Sequence, residues 1–145
     1  MHGPGGDSDL VELSFESEVA AGGLPPAALC RLARQSWSFN TRMGLTGGLE
    51  HWEGRFRATI EGACAIVQPL AARIFCDRRH GLIRIVAFRP LATRQHQGWL
   101  LSGFDLGDTL FGHDERSAPN LTVLPLGPRQ RPLDRPARAA AAGPL

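Results

Sequence analysis

The amino-acid sequence predicts a single α+β domain in which two helices pack on one face of a β-sheet. Two observations support this prediction. Short segments with alternating apolar residues recur along the first hundred or so positions, and two longer segments between them carry apolar residues at helical spacing. The chain has 145 residues, 43% of them hydrophobic, which is enough for the core of one modest domain.

The first strand and the first helix are predicted within the first forty residues. Val11, Leu13 and Phe15 alternate with polar residues, the period-two pattern of a half-buried strand. Pro25-Pro26 suits the start of a helix, because proline is tolerated in the first turn. Apolar residues at helical spacing then continue the helix to an expected end near Asn40.

A hairpin and a second helix are predicted next. The strand candidates at 44–52 and 55–60 are joined by Glu53-Gly54, a pair typical of a tight hairpin turn. Residues 64–76 carry an amphipathic helical pattern. Pro69 costs this helix a backbone hydrogen bond unless it lies in the first turn, so the start of the helix stays open.

Two further strands complete the predicted order. Residues 82–88 are rich in branched side chains, and residues 99–104 are a candidate last strand. The order β-α-β-β-α-β with an additional strand is that of ferredoxin-like folds, in which both helices lie on one face of a mostly antiparallel sheet. Many unrelated activities share this arrangement, so the order alone does not indicate a function.

The compact domain is predicted to cover residues 9–104. Residues 1–8 form a Gly-rich leader that is expected to be flexible. Residues 105–145 form a C-terminal extension in which hydrophobic periodicity fades. From about residue 125 the extension is dominated by Pro, Arg, Ala and Gly, and disorder is expected there.

Composition and charge exclude several classes of protein. The 16 basic and 14 acidic residues leave a net charge of +2, so no strong field would steer nucleic acid or an acidic membrane. Three cysteines without C-x-x-C spacing indicate neither a disulfide framework nor a zinc site, and no bound metal is expected. A secretory signal and an apolar run of roughly 20 residues are both missing, which favours a cytoplasmic protein.

Four sequence stretches follow one another with a characteristic spacing. They are N-T-R-M-G-L-T-G at 40–47, G-R-F-R-A-T-I-E-G at 54–62, D-R-R-H at 77–80 and R-Q-H-Q-G-W-L-L at 94–101. Together they resemble the BLUF family of flavin-binding blue-light sensors, although His96 and Leu101 stand where the family has Phe and Met. The resemblance implies a bacterial, cytoplasmic FAD-binding flavoprotein for signal transduction, with no catalytic residues and therefore not an enzyme.

The resemblance also implies where the cofactor lies and how light is sensed. In the family an FAD ring system lies between the two helices, and a Tyr on the first strand and a Gln on the third strand carry the photochemistry. The Tyr position falls on Phe15, which has no hydroxyl, and the Gln position falls on Ala58, which has no amide. The normal photocycle is therefore expected to be lost.

Five other residues are implied to lie at the cofactor. Asn40 matches an Asn whose amide pairs with the pyrimidine edge of the flavin, or it is a helix C-cap. Arg79 and His80 match residues near the second flavin carbonyl and the cofactor chain, or they form a polar helix terminus. Phe39 covers one face of the flavin or is a core aromatic residue, and Trp99 lies near the flavin or points outward.

Two functions stay open after this comparison. The first is a flavin-binding sensory domain that signals through protein contacts, and the alternative is an interaction module that has lost FAD. On the sheet face away from the helices, Glu12 and Glu16 are expected beside Arg55 and Arg57, as solvated charge pairs. Such a face offers a surface to a protein partner, with a second copy of this chain as one candidate. An acylphosphatase-like hydrolase would need an Arg at 19–23, and none is present.

Overall fold

A computed structural model of the chain describes residues 9–104 and 121–124. The elements follow in the order β1 (Leu10–Val19), α1 (Pro26–Arg42), β2 (Thr46–Trp52), β3 (Arg55–Ala63), α2 (Cys64–Phe75), β4 (His80–Pro90), β5 (Trp99–Ser102) and β6 (Leu121–Leu124). The predicted α+β class and the predicted element order through β5 are confirmed. The sequence pattern did not predict β6. The expected flexible leader and the expected disorder from about residue 125 lie outside the described residues.

One mixed sheet contains all of the described strands, in the order β4-β1-β3-β2-β5-β6. β1 pairs antiparallel with both β3 and β4, and β2 pairs antiparallel with β3, whereas β5 pairs parallel with β2 and with β6. The predicted adjacency of the first and third strands is confirmed, because Phe15 lies directly opposite Ala58.

The turn between β2 and β3 has the backbone that a two-residue hairpin needs. Glu53 has φ 47° and Gly54 has φ 76°. Positive φ at both central residues defines a type I′ turn, whose twist matches that of the flanking strands. The hairpin predicted from Glu53-Gly54 is thereby confirmed.

Both helices differ slightly from their predicted limits. α1 continues to Arg42, beyond the expected end near Asn40. α2 begins at Cys64, so Pro69 lies in the interior of the helix and not in its first turn. At this position Pro69 removes one backbone hydrogen bond. Within the described residues, neither helix is long and apolar enough to cross a bilayer.

The main core lies between the sheet and the two helices. α1 packs on β2 and β5, and α2 packs on β1 and β3. Leu13 of β1, Val67 of α2 and Leu101 of β5 are fully buried there. Because the helices cover different pairs of strands, they flank a space above the middle of the sheet.

The sheet face away from the helices is less exposed to solvent than the sequence-based expectation. Glu16 does pair with Arg57, at 2.6 Å, as expected. Glu12 is completely buried, and it pairs with Arg89 of β4 at 2.7 Å. The expectation of a solvated face is therefore wrong at Glu12. Part of the reason is that the segment 94–96 lies over this face and hydrogen-bonds to β3.

Candidate functional site

A cavity of about 750 Å³ lies between the two helices. Its volume is within the range of small-molecule sites, about 300–1,000 Å³. All seven residues that the sequence comparison implied at the cofactor line this one cavity, namely Phe15, Phe39, Asn40, Ala58, Arg79, His80 and Trp99. Residues from two helices and several strands are thus brought to one place.

The floor of the cavity is formed by three strands side by side. Phe15 of β1 and Leu49 of β2 are the two cross-strand partners of Ala58 on β3. Residues directly opposite each other point to the same face, so the three side chains form one row. The Phe15 ring also meets Phe75 of α2 edge-on, with ring centroids 5.7 Å apart. This row offers no side-chain hydrogen-bonding group.

Asn40 supplies an amide to the wall of the cavity. Asn40 is 4% exposed, and its side chain makes no hydrogen bond to any other residue within 9–104 or 121–124. The capping alternative is wrong, because α1 continues to Arg42, the cap is Met43, and the backbone of Asn40 is not left-handed. The amide lines the cavity and offers a donor and an acceptor together, so this side chain favours a ligand with a matching polar edge.

Arg79 lies at the mouth of the cavity, beyond the end of α2. Its Nη2 donates to Asp77 Oδ2 at 2.7 Å, and its Nη1 donates to Gln35 Oε1 on α1 at 3.0 Å. The hydrogen bonding between Arg79 and Asp77 lowers the pKa of Asp77 against the smaller opposing effect of burial, and it raises the pKa of Arg79. Each terminal nitrogen of the guanidinium keeps a further N–H for a ligand.

His80 is placed in the cavity wall by hydrogen bonds at both ring nitrogens. Nε2 lies 2.6 Å from the carbonyl oxygen of Ile74, to which it donates, and Nδ1 lies 2.7 Å from Ser17 Oγ. The ring also contacts Phe15, with centroids 6.1 Å apart. His80 therefore offers ring surface to a ligand and no free ring nitrogen. It is the first residue of β4, so it is not part of a helix terminus.

Two aromatic residues complete the predicted set. Trp99 is 2% exposed and lines the cavity, so the inward arrangement is the observed one. Its Nε1–H has no hydrogen-bond partner among the residues described. Phe39 is half-buried, and the guanidinium of Arg73 lies over its ring, 5.0 Å from the centroid.

Several lining residues were not found by sequence reasoning. Among them are Gln35 and Arg42, which lie on the same side of α1 as the predicted Phe39, and Arg73 of α2. The spacing of residues 35, 39 and 42 is that of one helix face, a signal that could have indicated them. Arg73 carried no comparable signal, because its proximity to Phe39 depends on how the two helices pack.

The α+β domain has a cavity of small-molecule size between its two helices, and comparison with known proteins narrows the class of protein. The family model "Sensors of blue-light using FAD" (BLUF) matches residues 10–102. The chain therefore belongs to the BLUF family, whose members are flavin-binding sensory modules and not enzymes by themselves. The search among curated proteins gave no match.

Solved structures of BLUF proteins are similar to this chain. BlrB, a BLUF protein in its dark state, is 31% identical with a TM-score of 0.59, over 65% of this chain and 73% of that one. Klebsiella pneumoniae BlrP1, in a complex with calcium and cy-diGMP, is 26% identical with a TM-score of 0.58, over 66% of this chain and 24% of that one.

A bacterial light-regulated adenylyl cyclase is similar in fold. It is 24% identical with a TM-score of 0.60, over 64% of this chain and 28% of that one. This chain thus matches only about a quarter of the length of BlrP1 and of the cyclase.

Proposed function

We propose that this chain is a flavin-binding regulatory domain of the BLUF type that has lost the normal photocycle and acts through protein contacts. One observation supports this best. The same cavity joins a buried Asn40 amide, which has no partner among the described residues, to a floor in which Phe15 lies opposite Ala58. The first feature favours a ligand with a polar edge, and the second removes the groups that the family uses to sense light.

The residues of the cavity fit a flavin. Phe15, Phe39, Phe56 and Trp99 provide aromatic surface for a planar ring system, and Asn40 and Arg79 provide hydrogen-bonding groups for its polar edge. Bound flavin would supply absorption of blue light. The protein would supply burial of the ring, orientation by the amide and positive charge at the mouth.

The floor of the cavity lacks the means to change hydrogen bonds on illumination. Phe15 has no hydroxyl proton to transfer, and Ala58 has no amide to rotate. The cross-strand neighbour Leu49 and the nearby Ile60 are also apolar, so neither replaces the missing groups. A bound flavin would therefore remain in one hydrogen-bonded arrangement at this edge.

The signal from the cavity to a protein partner would pass through the sheet. Trp99 is the first residue of β5, and its ring lines the cavity. β5 pairs parallel with β2 on one side and with β6 on the other, so a displacement of the Trp99 ring would be transmitted to all three strands. A protein partner is the proposed receiver of this signal, and a second copy of the chain is one candidate.

The absorption spectrum of the purified chain, read before and after blue illumination, tests this function. The native chain should retain flavin and show no reversible red shift. The double variant Phe15→Tyr with Ala58→Gln should show the shift, because it restores a proton donor beside a rotatable amide. The two single variants are the matched controls, and each should lack the lasting shift.

Two results would contradict the proposal in different ways. A red shift in the native chain would show that Phe15 and Ala58 do not abolish the photocycle. Failure of both the native chain and the double variant to bind flavin after reconstitution would favour the alternative, a flavin-free interaction module.

A further inference from the structure

β4 forms an open edge of the sheet. It is the first strand in the sheet order, and none of the described strands pairs with its outer side. Three of the four large hydrophobic residues that the described part of the chain exposes lie on this strand, Leu82 at 80%, Ile85 at 52% and Phe88 at 45%. A long edge strand with exposed apolar side chains is a surface to which a further strand can pair.

A bulge places two of these apolar residues on the same face of the sheet. In a regular strand, residues three positions apart point to opposite faces. The register between β1 and β4 shifts by one residue at Val86. Ile85 therefore lies opposite Phe15 on the helix side of the sheet, and Phe88 lies opposite Leu13 on the same side. Because α2 packs on β1 and β3, Ile85 and Phe88 stay exposed.

The same bulge places two arginines on the sheet face away from the helices. Arg84 donates a hydrogen bond to Glu16 at 2.6 Å, and Arg89 donates one to Glu12 at 2.7 Å. Both arginine side chains remain more than half exposed, at 59% and 56%. β4 contains no acidic residue. Its outer edge is thus apolar on the helix side and basic on the other side.

Leu82 is directed outward by an unusual backbone conformation. Its φ is 50°, in the left-handed region that leucine rarely adopts. It lies at a second register shift, between the residues that pair with Glu16 and Glu18. Bulges at sheet edges commonly re-aim a side chain. Here the bulge presents a leucine to solvent at the end of the apolar side of β4.

We propose that the outer edge of β4 binds an extended segment of a protein partner in which apolar and acidic residues alternate. The segment continues the sheet through backbone hydrogen bonds. Its apolar side chains pack on Ile85 and Phe88, because cross-strand neighbours share a face. Its carboxylates face Arg84 and Arg89 on the other side. The inference rests on the proposed signalling through protein contacts and adds to it a surface and a partner chemistry.

Charge complementarity favours a different protein over a second copy of this chain at this edge. If β4 paired with β4 of a second copy, Arg84 and Arg89 of both copies would lie on one face, with no acidic residue of β4 between them. Like charges on neighbouring strands destabilise their pairing. Acidic residues on a partner strand would instead neutralise the exposed guanidinium groups.

Fluorescence anisotropy of labelled peptides of about ten residues, titrated with the full chain at low salt, tests the inference. A peptide that alternates valine and glutamate should bind at least about tenfold more tightly than one that alternates valine and lysine. A peptide of the same valine and glutamate content, with all glutamates grouped at one end, should bind as weakly as the lysine peptide. Raising NaCl to about 0.5 M should reduce the preference for glutamate.

A change at Leu82 tests the apolar contribution. Leu82→Ser should weaken binding of the alternating glutamate peptide at least about fivefold, and the variant should stay folded because Leu82 is 80% exposed. Met43→Ser is the matched control, because Met43 is the fourth exposed large hydrophobic residue and follows α1, away from β4. It should bind the peptide as the native chain does.

A change at Arg84 tests the contribution of charge. Arg84→Gln should weaken binding of the alternating glutamate peptide about threefold and leave binding of the lysine peptide no weaker. The sheet should tolerate this change, because Glu16 keeps its ion pair with Arg57 at 2.6 Å. Arg31→Gln, at an exposed position of α1, is the matched control and should retain the native preference.

The outcomes separate this inference from the proposed flavin site. Binding of none of the peptides by the native chain, or equal binding of all three, would overturn the inference. Equal effects of Leu82→Ser and Met43→Ser would also overturn it. Sedimentation that shows a dimer of the native chain, lost in Leu82→Ser, would overturn the choice of partner in favour of a second copy. Flavin absorption, read in the same preparations, tests the flavin site independently of the peptides.

Discussion

Replacing Glu61 tests how the segment before β5 is held on the sheet. Glu61 is completely buried. Its Oε1 accepts hydrogen bonds from the Thr46 hydroxyl at 2.9 Å and from the His96 backbone N–H at 3.1 Å, and its Oε2 accepts one from the Gln95 backbone N–H at 2.9 Å. The His96 ring is also close, with Nδ1 3.2 Å from Oε2, although it is turned away from hydrogen-bond alignment. This carboxylate therefore clamps the segment that leads to Trp99.

The expected loss of stability follows from these contacts. Removing one partner from a buried charged network costs about 3–5 kcal/mol, because the remaining donors are left without an acceptor. We expect Glu61→Ala to lower the free energy of unfolding by about this amount, and Glu61→Gln, which keeps one acceptor oxygen, by about half of it. For a domain of this size, a loss of about 3 kcal/mol lowers Tm by roughly 12 °C or more.

The effect should depend on pH with a definite sign. Burial alone would raise the pKa of Glu61, but the nearby His96 ring and the hydrogen bonds from Gln95 and Thr46 hold it below its usual value of 4.5. The folded-state pKa is thus lower than the unfolded-state value. The contribution of the ionised group is complete above about pH 4.5 and is lost as the pH falls through the folded-state pKa.

Urea unfolding followed by tryptophan fluorescence measures this dependence. The difference between the native chain and Glu61→Gln should be largest near neutral pH and should shrink below about pH 4.5. Glu18→Gln is the matched control, because Glu18 is exposed on β1, and its free energy of unfolding should change by less than about 0.5 kcal/mol. A native–Gln difference that is negligible at neutral pH, or that grows on acidification, would refute the clamp.

Two further substitutions test the site and the sheet. Asn40→Ala should release flavin from the purified protein while changing the stability of the flavin-free chain by less than about 1 kcal/mol, since the amide bonds to none of the described residues. Unchanged flavin absorption in that variant would argue against the assigned role. Gly47→Ala should destabilise the domain by more than about 2 kcal/mol, because Gly47 has φ 136° and an added Cβ would lie 1.9 Å from the carbonyl oxygen of Thr59. Gly81→Ala, with no atom within 4 Å of the added Cβ, is the control in thermal unfolding, and an equal loss there would count against the steric reason.

Elements that depend on local physics were predicted well. The alternation of Val11, Leu13 and Phe15 placed a strand correctly, because one buried face imposes a period of two. The turn at Glu53-Gly54 was predicted from two residues, since a type I′ turn depends on their own φ values. The seven residues that motif resemblance implied at the cofactor line one cavity, and their role toward a cofactor stays a prediction.

Elements that depend on distant parts of the chain were not predicted. The sequence pattern predicts Glu12 as an exposed strand residue. In the structure it is buried and accepts a hydrogen bond from Arg89, which is 77 positions away. β6 is only four residues long, and its pairing with β5 gives no periodic signal strong enough to stand out. The position of Pro69 in the helix interior was not predicted, because it depends on the residue at which α2 begins.

The sequence by itself determined the class of the domain, the order of its main elements and the absence of a hydroxyl at Phe15 and of an amide at Ala58. These properties are local, because they depend on residue identity and on short periodic patterns. Only the tertiary structure decided that the Asn40 amide lines a cavity and bonds to none of the described residues, that both ring nitrogens of His80 are occupied, and that Arg42 and Arg73 meet at Phe39. Each of these depends on the packing of separate elements, whose side chains come together only when the helices settle on the sheet.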